Sequence, residues 1–177
     1  MEQLIMHWYN DGKPCEAMQF PERVTVKTLP QLENGVQVWL DIIRFMFLEP
    51  KSNLTEEFFH KTMTDYANFD ENHCYILLLE DVPVATITVI FDRQEKQGYI
   101  HMVACKPECR GKGFGHLLNK IAVGVLKAEG MRSAYLTTDD WRLAAIKTYL
   151  KAGFVPDLKT QPDFMDRWQN IYKQLNV

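Results

Sequence analysis

The sequence predicts an α/β fold of the α+β kind, a mixed and mostly antiparallel central sheet flanked by helices. Three observations predict it. Three strand-like runs, Cys74–Glu80, Val84–Phe91 and Tyr99–Cys105, follow one another through short links, which implies antiparallel pairing. Tyr99–Cys105 then passes through a glycine-spaced turn and a long amphipathic helix to another strand, Ser133–Thr138. A strand reached over such a crossover lies parallel to the one before it. Runs with apolar residues three and four apart stand before and after this block and supply the flanking helices.

At the start, Leu4–Tyr9 and Val24–Leu29 read as strands, with Asn10-Asp11-Gly12 and Pro14 forming a turn or loop between them. A first helix over about 33–48 carries the stripe Val36, Trp39, Ile42, Ile43, Met46 and Phe47, and Pro50 stops it. A second helix has Asn53 or Thr55 as N-cap and Leu54, Phe58, Phe59, Met63 and Tyr66 on its buried side. In the three-strand block, Asp81-Val82-Pro83 reads as a tight turn and 92–98 as a polar loop. The long helix places Leu117, Leu118, Ile121, Ala122, Val125 and Leu126 at helical spacing and ends at a glycine cap, Gly130. After Ser133–Thr138, Asp139 or Asp140 caps a helix through Trp141–Ala152, closed by Gly153-Phe154. Beyond Val155-Pro156, the spacing of Phe164, Met165, Trp168, Ile171, Tyr172 and Leu175 predicts a short strand and then a terminal helix. That helix packs on its own domain or on a partner subunit, which leaves a homodimer open.

A length of 177 residues fits one domain over 1–177, with 1–23 as a candidate N-terminal extension. The composition, 46% hydrophobic and 24% charged, is that of an ordinary soluble protein, and a net charge of −3 favours neither nucleic acid nor an anionic membrane. Four cysteines do not make a disulfide framework, and the N-terminus lacks a basic-then-apolar leader pattern. Val82–Phe91, an uncharged run of ten residues, is too short to span a bilayer, so a cytoplasmic location is expected. His101, Cys105 and Cys109 lie four apart, but no fourth ligand is evident and closed zinc sites need four, so no metal is expected.

The stretch with the clearest chemistry is Arg110-Gly111-Lys112-Gly113-Phe114-Gly115, between strand and helix. The first amides of a helix lack internal partners, the helix dipole adds positive charge there, and glycines let an anion approach the backbone. Lys106, Arg110 and Lys112 place three cations within seven residues, against one anion, Glu108. A pyrophosphate is the expected guest. The dinucleotide fingerprint G-x-G-x-x-G fails at His116, and the nucleoside triphosphate loop fails because Lys112 is followed by Gly113 and position 106 is lysine.

What remains resembles the coenzyme A pyrophosphate loop of the GNAT superfamily of acetyl-CoA-dependent N-acetyltransferases, Q/R-x-x-G-x-G/A, filled by Arg110, Gly113 and Gly115. A second likeness is A-x-x-x-Y-x-x-x-G-F, filled by Ala145, Tyr149 and Gly153-Phe154; many members carry asparagine three residues before that alanine, where this chain has Arg142. The two motifs and the elements between them cover about 75–156. The resemblance implies a GNAT-like fold with a splayed central strand pair and acetyl-CoA as co-substrate. It departs at the C-terminus, where the family usually adds two strands and this sequence predicts a helix.

The resemblance also assigns roles. Arg110, Gly111, Lys112, Gly113, Phe114 and Gly115 hold the cofactor, the amide of Val103 polarises the thioester carbonyl, and the backbone of Cys105 contacts the pantetheine arm. Tyr149 is the general acid for the leaving thiolate. His101 is the candidate base, since period two puts it and Tyr99 on the face of Val103. The function implied is transfer of an acetyl group to a primary amine, by default of a small molecule, through direct attack in a ternary complex. The alternatives are an acyl-CoA sensor or scaffold without turnover and a protein or peptide N-acetyltransferase.

Overall fold

The computed structural model describes every residue except Met1, Glu16, Leu48 and Val177. Its strands are β1 (Leu4–Tyr9), β2 (Val24–Thr28), β3 (Cys74–Leu79), β4 (Val82–Asp92), β5 (Gln97–Cys105), β6 (Ser133–Thr138) and β7 (Val155–Pro156). Its α-helices are α1 (Gly35–Ile43), α2 (Glu56–Phe59), α3 (Phe114–Ala128), α4 (Leu143–Lys151) and α5 (Phe164–Leu175). The strands form one sheet in the order β2-β3-β4-β5-β6-β1-β7, antiparallel except for β5 and β6. The expected mixed α/β architecture and its terminal helix are therefore present.

The core lies in two layers. Leu118, Ala122, Leu126, Ile146, Phe164 and Trp168 pack on one face of the sheet, and Trp39, Ile42, Ile43, Phe59 and Met63 on the other. Both faces of β4 are covered, which is why almost all of its residues are buried. Strand β1 sits between β6 and β7, far from β2 in the sheet. The segment 10–23 is thus a crossing over the back of α3, where Cys15 and Met18 approach Gly124 and Lys127 pairs with Asp11 at 2.8 Å.

Several boundaries differ from expectation for local reasons. The β3–β4 turn is Glu80-Asp81, both at positive φ (51° and 65°), the mirror-type turn that suits the twist of a tight hairpin, so Val82 and Pro83 belong to the strand. Helix α1 gives way to a 3₁₀ turn at Arg44–Met46, short of 48. Helix α2 runs for one turn behind Thr55 and continues as a π turn over His60–Thr64; Tyr66 lies past it and is exposed, not on the buried side. Neither Asp139 nor Asp140 caps α4. Arg142 occupies the N-cap, Asp139 accepts from Arg142 Nε at 2.8 Å, and Asp140 accepts from Arg167 Nε of α5 at 3.1 Å. Guanidinium partners have taken both carboxylates.

The terminal helix is part of the chain's own core. Phe164, Trp168 and Ile171 are fully buried, whereas Met165, on the expected stripe, is exposed. Trp168→Ala is expected to cost about 3–5 kcal/mol, the range for deleting a buried aromatic. That corresponds to a melting temperature roughly 6–20 °C lower for a chain of this size. Thermal denaturation checks it, and a change below about 1 kcal/mol would mean that α5 is not integral to the fold.

Candidate active site

Strands β5 and β6 are paired only from Gln97–Ile100 to Ser133–Leu136. Beyond Ile100, β5 continues with β4 alone, and beyond Leu136, β6 continues with β1 through Thr137 and Thr138. The two strands part, and a cleft of about 110 Å³ opens between them. Tyr99, His101 and Val103 line one wall; Thr138 and, from α4, Arg142 and Tyr149 line the other.

The wall on β5 contains a bulge. Thr86 faces Ala104 and Thr88 faces His101, so Met102 and Val103 together stand opposite Ile87. Met102 takes the left-handed conformation, φ 52°, rare for a residue with its side chain. The extra residue breaks the period of two. Tyr99 and His101 face Tyr66 and the α2 side, and Met102 and Ala104 pack on that side too, whereas Val103 and Cys105 pack toward α3. His101 and Val103 are therefore on opposite faces, against the alternation expected from sequence. In the register neither Met102 nor Val103 has a partner on β4, while Cys105 stays paired with Ala85.

The glycine-spaced turn has the form an anion site needs. Residues Arg110, Gly111, Lys112 and Gly113 are exposed, and Gly113, at φ +86°, is the N-cap of α3 without a side-chain cap. A Cβ at Gly111 or Gly113 would meet nothing within 4 Å, so the space in front of the free amides is open to a bulky anion. These features fit the pyrophosphate of coenzyme A. Other members of the motif do different work. The Phe114 side chain is buried in the core, leaving only its amide for a ligand. A Cβ on Gly115 would lie 3.4 Å from the Thr148 side chain, an ordinary contact, so α3 and α4 pack closely here without needing a glycine. Arg110 donates from Nη2 to the Phe45 carbonyl at 2.8 Å, tying the turn to the segment after α1.

Tyr149 is buried, its ring edge-on to Phe154 at 6.1 Å, and burial pushes its phenol up to about 12. On the opposite wall, His101 Nε2 lies 2.7 Å from the carbonyl of Thr62. A carbonyl only accepts, so Nε2 carries the proton and Nδ1 is left to accept from Tyr99 Oη at 3.2 Å. Burial holds the imidazole below its ordinary value, which keeps it neutral. Tyr99 stacks between Tyr66 and Tyr135, with centroids at 5.6 and 4.7 Å. Tyr66, Tyr135 and the Thr62 carbonyl were not singled out from sequence. Tyr66 reads as a buried residue of the second helix, Tyr135 lies unremarked within the strand Ser133–Thr138, and the carbonyl, delivered by the π turn, has no sequence signature. Cys105, lifted to about 11 by burial, is a poor nucleophile.

The acetyltransferase (GNAT) family profile matches residues 39–154, well over half of the chain, and with the splayed strands and the glycine turn in place the chain belongs to the GNAT acetyltransferase family. It is similar to the mycothiol acetyltransferase of Nocardia farcinica, 34% identical over 65 residues, which are 37% of this chain and 22% of that protein. The mycothiol acetyltransferase of Cellulomonas flavigena is 33% identical over 60 residues, 34% of this chain and 17% of that one. The matched region is thus about a fifth of the length of these curated relatives. Among solved structures, a GCN5-related N-acetyltransferase from Sphaerobacter thermophilus superposes with a TM-score of 0.68 at 21% identity, over 89% of this chain and 50% of that one. An aminoglycoside acetyltransferase from an uncultured soil metagenomic sample superposes with a TM-score of 0.56 at 17% identity, over 73% and 87%. At such identities the likeness is one of fold.

Proposed function

We propose that this chain, acting as one acetyltransferase domain over 1–177, transfers the acetyl group of acetyl-CoA to a primary amine of a small molecule by direct attack in a ternary complex. The observation that carries the proposal is the cleft between β5 and β6, with Tyr149 on one wall and the Tyr99–His101 pair on the other. Acetyl-CoA supplies an activated acetyl thioester when bound. The amides at the start of α3, with Lys112 beside them, hold its pyrophosphate. The Val103 amide polarises the thioester carbonyl, and the bulge that leaves Val103 without a partner on β4 supports this role. The Tyr149 hydroxyl donates a hydrogen bond to the leaving sulfur. His101 accepts the amine's proton at Nδ1 through Tyr99, its tautomer set by Thr62. All four cysteines are free thiols and no described helix is long and apolar enough to cross a membrane; the cytoplasm is the proposed place of action.

Thiol release from acetyl-CoA, measured across a panel of small primary amines, tests the proposal. Release that depends on an amine supports it; binding of coenzyme A without release above hydrolysis would make the chain a sensor or scaffold. With an acceptor in hand, His101→Gln is expected to lower kcat/KM on the order of 10²-fold. At saturating acceptor it also removes the His101 limb from the acid side of the kcat profile, because kcat falls as pH drops through the His101 value and glutamine does not titrate. That limb lies below the ordinary imidazole range near ~6.5. The groups facing the ring are the phenols of Tyr66 and Tyr99 and the Thr62 carbonyl. An unchanged acid limb in the variant would remove His101 from the mechanism.

A further inference from the structure

We infer that Arg142 is the electrostatic partner of the leaving sulfur, its guanidinium stabilising a thiolate in the cleft beside the Tyr149 hydroxyl. The inference rests on acetyl-CoA being the donor.

Arg142 stands at the N-cap of α4, seven residues before Tyr149, which is two helical turns and the same face. Both side chains line the cleft. The guanidinium is held in place from two directions. Nε donates to Asp139 Oδ2 at 2.8 Å, and the group lies over the Trp141 ring at 4.2 Å from its centroid. The other Asp139 oxygen accepts from Gln3 Nε2 at 3.2 Å, so the carboxylate is itself fixed. Among the described residues, Nη1 and Nη2 of Arg142 have no hydrogen-bond partner, and the side chain is only 21% exposed. A guanidinium oriented through one edge presents the rest of its donors to whatever occupies the cleft. The uncapped N-terminus of α4 adds its partial positive charge in the same region.

The need for such a cation follows from Tyr149. In the transfer the amine nitrogen bonds to the acetyl carbon, the electron pair of the broken C–S bond stays on sulfur, and the amine's proton leaves toward His101. A phenol at about 12 protonates the thiolate of a thiol near ~8.5 only against roughly three powers of ten. The sulfur therefore departs carrying negative charge. Among the described residues, Arg142 is also the charged group that pulls the Tyr149 phenol back down. Many family members carry a neutral asparagine at this place; here a cation stands next to the leaving group.

Titration calorimetry of coenzyme A and S-methyl coenzyme A, from about pH 6.5 to about 9.5, tests the inference without turnover. A site that prefers the thiolate lowers the bound thiol's pKa. Affinity for coenzyme A then rises with pH up to the free thiol value near ~8.5 and levels off. The S-methyl compound, which cannot ionise, shows no such rise. For the wild type we expect coenzyme A to gain at least about tenfold over S-methyl coenzyme A across this range, one unit of pKa being a factor of ten. In Arg142→Gln the gain disappears while S-methyl coenzyme A keeps its affinity, and Arg142→Lys recovers part of it. The same gain in Arg142→Gln as in wild type would overturn the inference. So would an absent gain in a wild type that binds both compounds. Binding of neither compound would instead overturn the donor reading on which the inference rests.

Discussion

Gly113→Asp is expected to lose coenzyme A affinity by roughly thirty- to a thousandfold, on the order of 2–4 kcal/mol for one added like charge about 4 Å from a phosphate at an intermediate dielectric. Gly113 is the N-cap of α3 at φ +86°, and a Cβ there would point into open space. The added carboxylate would stand in front of the amides that attract the pyrophosphate and would pair with them itself. Backbone strain is a separate effect, since a left-handed residue with a side chain costs about 1–2 kcal/mol of stability. Gly113→Asn carries that strain without the charge. Calorimetry should therefore find Asn much closer to wild type than Asp. The Asp defect should shrink at high salt, because the site is exposed and its charges are screened. Wild-type affinity in the Asp variant would mean that the turn does not hold the pyrophosphate.

How far the sequence disclosed this molecule depends on how local the cause of each feature is. The strands of the central block, α3 with Gly130 behind it and the terminal helix are set by period, glycine caps and the run of β-branched residues, all of which lie within a few positions of one another. The features that escaped are set by partners far away in the chain. Asp139 and Asp140 looked like caps because aspartate before a helix usually is one; Arg142 and Arg167 claim them instead. The bulge at Met102 and Val103 has no glycine to announce it, and it reverses the face on which Val103 lies. Tyr66 reads as a buried helical residue only if the helix continues, and the π turn over His60–Thr64 ends it.

The candidate site divides in the same way. The glycine turn was legible because an anion site made of backbone amides needs glycines at fixed spacing before a helix. Tyr149 was legible through a motif. His101 was named from sequence, but the reason offered for it, a shared face with Val103, does not hold. What supports it now is a carbonyl 39 residues away that fixes its tautomer and a phenol two residues away that reaches into the cleft. Arg142 was visible only as a departure from a pattern, and its orientation depends on Gln3, Asp139 and Trp141, which no spacing rule connects.

Tyr149→Phe is expected to lower kcat by roughly ten- to 150-fold while coenzyme A affinity and melting temperature stay near wild type. The ring is buried and packs edge-on against Phe154, contacts that phenylalanine keeps. The hydroxyl has no partner among the described residues, so its removal orphans nothing, and stability should move by less than about 1 kcal/mol. The size of the kinetic effect follows from the burial of the phenol. With Tyr149 at about 12 and a thiol near ~8.5, complete proton transfer would be uphill by about 5 kcal/mol, so the hydroxyl serves as a hydrogen-bond donor to sulfur. A hydrogen bond to a charged acceptor contributes about 1.5–3 kcal/mol, which converts to roughly ten- to 150-fold in rate. It follows that kcat should not fall on the basic side through ionisation of Tyr149 until the pH approaches about 12. Steady-state kinetics and thermal denaturation on the same preparations decide between roles. Unchanged turnover would remove the hydroxyl from the chemistry. A loss of activity matched by a large loss of stability would give the hydroxyl a structural role, because phenylalanine keeps the ring's contacts with the core.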